Sequence, residues 1–350
     1  MSVTVYSHQL PFTLESGIEL PGYHLGYHVF GKLNADKSNV VWIFHALTAN
    51  SNPVDWWPGL VGPGNLLDPE KYFLVCVNMP GSCYGSTGPL ENDPVTGQPY
   101  YHDFPFFTTR DMIRAYQPLR ELLGIQKIKI GIGGSMGGQQ LLEWAIEEPE
   151  LFEHIVPIAT NAFHSPWGKA FNASQRLCIE LDPTWLQRHA QAGIDGMKVA
   201  RGVALLSYRH PETYDLYQND PDINALGPYR SESYQVYQGE KLARRFNAFS
   251  YYRLSQSMDS HHVGRGRGSV LQALKQIRAR THVISLKSDL LFPQNEQTFL
   301  AEHIPGASFH SIHSVYGHDG FLLEYEAISA IIRDFIREQD LSSRTSFSVG

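Results

Sequence analysis

The chain has 350 residues, with a hydrophobic fraction of 42%, a charged fraction of 18% and a formal net charge of -7. This is the balance of a globular protein, and its acidic surplus supplies no overall field that would draw it onto nucleic acid or an anionic membrane. No apolar run approaches the ~20 residues a membrane-spanning helix needs, and Cys76, Cys83 and Cys178 offer neither a disulfide framework nor a paired metal-ligand spacing.

The opening stretch "MSVTVYSHQLPFTLE" lacks the basic start and apolar core of a signal peptide, so a cytoplasmic protein is expected. Within the first 35 residues, "FTLESGIEL" and "YHLGYHVFG" predict an antiparallel hairpin at a sheet edge. Near-continuous apolar runs follow at 39–48 ("NVVWIFHALT"), 72–81, 127–134 ("KIKIGIGG"), 154–160 and 281–289 ("THVISLKSD"). Such runs mark strands covered on both faces, hence a mainly parallel sheet. Between them, "TTRDMIRAYQPLRELLG" and "SMGGQQLLEWAIEEPE" have helical apolar spacing, which gives an α/β architecture with helices on both faces.

From about 165 to 268 the pattern breaks into polar, aromatic-rich helical sequence without a clear strand. This predicts a core of 1–165 and 269–350, with 166–268 inserted as a helical cap over the carboxyl edge of the sheet. "GRGRG" at 264–268 lacks the strand-before and helix-after context of a phosphate loop and reads as a flexible connector from cap to core. His261–His262 has no HExxH pattern or third ligand nearby, and no metal site is expected. The tail "QDLSSRTSFSVG" is expected to fray.

Gly133 to Gly137 fit G-x-S-x-G, placed between a strand and a helix. Glycines around Ser135 let the backbone turn sharply and hold the hydroxyl above the sheet, at the amino end of a helix. The backbone N–H of Met136 then becomes an oxyanion donor, with a second expected from Leu47 in the turn after "WIFHALT". A serine nucleophile needs a base, and the base a carboxylate to fix its tautomer. Asp289 and His318 follow Ser135 in the order this fold class uses, each at a strand end. His45 precedes the serine inside a strand end and is assigned a structural role.

Several stretches together resemble the homoserine O-acyltransferase family of α/β-hydrolase-fold enzymes: "FHALTANS", "DWWPGLVGPGNLLDPEKYFLVCVNMPGSCYGSTGP", "GGSMGGQQLLEWA", "SYQVYQGEKLARRF", "SDLLFP" and "GHDGFL". The resemblance implies an acyl-coenzyme A-dependent O-acyltransferase, with acetyl-CoA as co-substrate, no bound cofactor and L-homoserine as acceptor, in methionine biosynthesis. It further implies that Ser135 is nucleophile, Asp289 orienting acid and His318 base, that Arg201 and Asp319 bind the acceptor, and that the protein is a homodimer. A guanidinium fork suits the acceptor's carboxylate and a carboxylate its ammonium. Against the family pattern, Gln139 stands where Met is common, Gly320 where Ala is common, and the loop after "HALTANS" is shorter. The loop bears on the acyl pocket, which leaves succinyl transfer as an alternative, and serine O-acyl transfer is a separate one. A plain esterase or thioesterase would share the triad but not need Arg201 and Asp319, and a non-catalytic binding module on this scaffold would usually lose a triad member.

Overall fold

The computed structural model describes residues 2–224 and 226–346, with side chains described as far as 336. Its strands are β1 (Thr4–His8), β2 (Phe12–Thr13), β3 (Glu19–Leu20), β4 (Tyr23–Phe30), β5 (Val40–Phe44), β6 (Phe73–Val77), β7 (Ile128–Gly134), β8 (Phe152–Ile158), β9 (Arg280–Leu286) and β10 (Ser308–Ile312). Among the described residues, eight strands form one sheet in the order β1-β4-β6-β5-β7-β8-β9-β10, and β2 pairs with β3 alone. The six strands from β6 to β10 run parallel, and an antiparallel edge is present but not as the expected hairpin: β4 pairs with β1, while β2 and β3, both within "FTLESGIEL", pair with each other outside the main sheet.

Alternation along β5 shows why the run reads as continuously apolar. Val40, Trp42 and Phe44 enter the core on one face, and Val41 and Ile43 enter the core on the other. Trp42 packs edge-on against Trp144 of the helix Met136–Glu147 at 4.9 Å between ring centroids, an arrangement worth about 0.5–1.5 kcal/mol beyond the buried area. In this order β6 lies on one side of β5 and β7 on the other. The chain therefore reverses its winding between β5 and β7, and crevices at the carboxyl ends of such strands are where open α/β sheets bind ligands. Leu47 follows β5 and Ser135 follows β7, so both predicted residues belong to that crevice.

Residues 166–268 form helices Pro166–Glu180, Ile194–Tyr208, Pro211–Tyr217, Arg230–Ala243 and Ala248–Asp259. The chain leaves and re-enters the core at one place. His164 N–H donates to His261 O (3.0 Å) and Val263 N–H to Ala162 O (2.9 Å), so the two ends of the insertion are clasped antiparallel. His261 serves this clasp: its imidazole bonds Thr109 Oγ1 and the Asn161 carbonyl, at 3.0 Å each.

"GRGRG" is a connector but not a flexible one. Arg265 pairs with Glu15 (2.9 Å), and Arg267 with Glu143 (2.7 Å) and Glu147 (2.8 Å), while Arg110 bridges Glu15 and Glu143 at 2.7 and 3.2 Å. Glu143 is fully buried, so both guanidiniums are needed to offset its desolvation. The expected frayed tail is also corrected in part: residues 339–346 continue the final helix, Tyr325–Ser346, and 347–350 lie outside the described residues.

Candidate active site

Ser135 is the single residue between β7 and the helix Met136–Glu147, with φ 56° and ψ -129°. Positive φ is uncommon for a residue with a Cβ and costs on the order of 1–3 kcal/mol, so the surroundings must enforce it. Ser135 N–H donates to Ile158 O (3.0 Å), and Thr160 Oγ1 donates to Ser135 O (2.8 Å), fixing the turn from both sides. A Cβ on Gly137 would lie 2.2 Å from the carbonyl oxygen of Phe44. Glycine there lets the first turn of the helix rest on the end of β5, immediately before the turn His45-Ala46-Leu47. Met136 is the first residue of that helix, and its N–H is among those the helix itself cannot satisfy.

His45 shapes the facing turn. Its Nδ1 donates to Ala46 O (2.9 Å), which leaves Nε2 to accept from Met79 N–H (3.1 Å). Burial pushes this imidazole down to about 4, against the pull of the Ala46 carbonyl, so it is neutral at ordinary pH. Leu47 follows immediately in this buried turn.

Asp289 lies three residues beyond the end of β9 rather than on it, in a turn that opens the approach to the helix Gln294–His303. Its Oδ1 accepts the N–H groups of Leu291 and Phe292 at 2.8 Å each, and its Oδ2 is 2.7 Å from His318 Nδ1. His318 occupies a single turn of 3-10 helix, Gly317–Asp319, beyond β10. Both side chains are buried, and Phe292 stacks on the imidazole at 5.1 Å, with Phe321 at 5.3 Å and Tyr208 at 5.8 Å. Burial alone pushes the imidazole down. Asp289, by charge and by hydrogen bond, together with Asp319, outweighs it and holds the pKa above the ordinary 6.5. The serine and histidine loops are tied directly, since a Cβ on Gly134 would strike the Phe321 ring at 2.4 Å.

Arg201 and Asp319 both border Tyr208, whose buried hydroxyl is pulled down by the first and pushed up by the second, with burial keeping it raised. The Arg201 guanidinium lies over the Tyr208 ring at 5.4 Å, and its buried Nε has no hydrogen-bond partner among the described residues. The two do not form an ion pair with each other. Asp319 Oδ2 instead faces Arg209 Nε at 3.1 Å. Sequence reasoning missed Arg209, which caps the helix Ile194–Tyr208. A cation at a helix carboxyl end is an ordinary signal, and it points to the helix rather than to a site 110 positions later.

With this geometry in view, likeness to known proteins becomes informative. The model of the alpha/beta hydrolase fold family matches residues 39–325. The homoserine O-acetyltransferase of Cyclobacterium marinum is 45% identical over 340 residues, covering 97% of each chain. Among solved structures, homoserine O-acetyltransferase from Bacillus anthracis superposes with a TM-score of 0.87 at 24% identity, covering 96% of this chain and 98% of that one. Esterase E22 superposes almost as closely, with a TM-score of 0.86 at 23% identity over 95% and 99% of the two chains. At such identities the superpositions speak for the fold alone, while the sequence likeness speaks for the family. The chain belongs to the alpha/beta hydrolase fold and, within it, to the homoserine O-acetyltransferase family.

Proposed function

We propose that this protein transfers an acetyl group from acetyl-coenzyme A to the side-chain hydroxyl of L-homoserine, in methionine biosynthesis, through an acyl-enzyme on Ser135. The observation that carries the reading is the buried 2.7 Å contact between Asp289 and His318, tied to an elbow that forces Ser135 to positive φ. In the first half-reaction Ser135 Oγ attacks the thioester carbonyl while its proton passes to His318 Nε2. Asp289 keeps the other proton on Nδ1, the tautomer in which Nε2 is the free base. The N–H groups of Met136 and Leu47 receive the oxyanion. Collapse breaks the carbon–sulfur bond, and the thiolate leaves with the proton from His318. The second half-reaction repeats these steps with the acceptor hydroxyl in place of serine, yielding O-acetylhomoserine and free Ser135.

Arg201 is assigned to the acceptor's carboxylate and Asp319 to its ammonium, which suits an arginine with an unsatisfied Nε beside a carboxylate held apart from it. Residues 166–268 act as a cap that keeps water from the acyl-serine, the condition for transfer over hydrolysis. The test is the fate of the acyl-enzyme with and without homoserine, using acetyl- and succinyl-CoA and offering serine as a rival acceptor. Rapid breakdown by water, unaffected by homoserine, would make the protein an esterase or thioesterase.

A further inference from the structure

Asp319 already has a partner of opposite charge. The closest Arg209 contact is with Oδ2, and no hydrogen bond from a described residue is made to Oδ1. Side-chain exposures of 21% for Arg209 and 16% for Asp319 place the pair out of bulk water, where a charge contact is stronger than at an open surface. Arg209 Nε–H is not aligned for a hydrogen bond, so the contact is ionic and leaves the carboxylate able to turn its free oxygen.

The backbone that delivers Arg209 is pressed onto the loop that carries Asp319. Gly317 stands at φ +65°, and a Cβ there would lie 2.8 Å from both the Arg209 carbonyl carbon and the His210 nitrogen. Farther along, Thr213 Oγ1 donates to Val315 O, and the hydroxyls of Tyr217 and Tyr316 are 3.4 Å apart. Residues 208–217 thus run along residues 315–319, and the guanidinium has a fixed origin beside Asp319.

Arg201, eight residues earlier, is the other cation near this carboxylate. Without Arg209, Asp319 would be a half-buried carboxylate lacking its ion-pair partner, with the Arg201 guanidinium a second cation bordering the same two tyrosines, Tyr208 and Tyr214. A site whose own cation and anion pair with each other has nothing left for a zwitterion. We propose that Arg209 is a positioning residue for acceptor recognition: by holding one oxygen of Asp319 it keeps that carboxylate off Arg201 and presents the other oxygen to the α-ammonium. This rests on the acceptor site assigned above.

The test combines Arg209→Gln, Arg209→Lys, Asp319→Asn and the Arg209→Gln/Asp319→Asn double variant, assayed for acetyl transfer with homoserine varied. Arg209→Gln should raise KM for homoserine about tenfold or more, with kcat at saturation changed by less than about threefold, and Arg209→Lys should recover most of the loss. In the Asp319→Asn background, Arg209→Gln should cost less than about twofold in kcat/KM, since it acts only through that carboxylate. A full additional penalty there would overturn the inference. Thr213→Val serves as the second probe: it removes a neighbouring cap-to-loop hydrogen bond without touching Asp319. An equal rise in KM from Thr213→Val would assign the effect to cap docking and overturn the positioning role. If the unaltered protein does not acetylate homoserine at all, the proposed function itself falls and this inference with it, whereas normal transfer with additive variants refutes this inference alone.

Discussion

Asp289→Asn tests the orienting acid, and the hydrogen bonds predict how the new amide must sit. Asp289 uses Oδ1 for two backbone N–H groups, of Leu291 and Phe292, and Oδ2 for His318 Nδ1. Asn keeps both backbone bonds only with its oxygen at the Oδ1 position. Its NH2 then points at His318 and donates, so Nδ1 must accept and the proton moves to Nε2, where the base should be free. The opposite orientation would restore the tautomer but leave two buried N–H groups facing a donor. Each unsatisfied group costs about 1–3 kcal/mol, so flipping costs about 2–6 kcal/mol. At 1.36 kcal/mol per tenfold in rate, the expected loss in kcat/KM runs from about 30-fold to about 2 × 10⁴. The assay is coenzyme A release in the first turnover together with steady-state transfer, and the histidine tautomer is read independently from imidazole nitrogen NMR shifts. A loss under tenfold, or a His318 that still carries its proton on Nδ1, would refute the reasoning and point to another carboxylate.

Three further outcomes follow from the same site. Ser135→Ala should abolish both acyl-enzyme formation and turnover with the fold intact by circular dichroism; substantial residual transfer would mean direct attack by the acceptor. Arg201→Ala should sharply weaken use of homoserine, by about 2–5 kcal/mol if a charged partner is lost from a desolvated site, yet leave the first-turnover burst of coenzyme A largely unchanged. An equal fall in both would assign Arg201 to the donor or the fold. His318 must be neutral to act as base and its pKa is held above 6.5, so kcat/KM should decline as pH falls through an acidic limb above 6.5. Asp319→Asn removes a negative neighbour and should move that limb to lower pH; a limb unmoved would show that Asp319 does not act on the base.

What was legible in the sequence was local, or ordered by the strands. The elbow needs only five consecutive residues, and the buried strands announce themselves by apolar runs whose ends locate Ser135 and Asp289, whereas His318 lies in a turn beyond β10, whose only buried residue is Ile312. Even there a boundary slipped: β9 stops at Leu286, and Asp289 sits in the turn whose amides bind its Oδ1. What escaped was pairing across long separations. "GRGRG" looks flexible on glycine content, but its arginines meet Glu15, Glu143 and Glu147, which no spacing rule connects to residue 265. Arg209 was passed over for the same reason, because its partner is fixed by how the insertion lies on the histidine loop.

That dependence on the insertion bears on the chemistry. The fold superposes almost equally well on an acetyltransferase and on an esterase, so the fold alone does not choose between acceptor and water. The choice requires groups that recognise a zwitterion and a cover held close enough to keep water out. Under the proposed function, the helix Ile194–Tyr208 and its C-cap carry the candidates for these roles. Tyr208 sets its ring 5.8 Å from the His318 ring, Arg201 lies over Tyr208, and Arg209 faces Asp319. The root of the same insertion is clasped at residues 162–164 and 261–263 and secured by the ion pairs of Arg265 and Arg267. If the proposed function holds, the choice of transfer over hydrolysis falls to the seam between residues 208–217 and 315–319, and substitutions there, His318 excepted, should change the ratio of transfer to hydrolysis before they change the rate at which Ser135 is acylated.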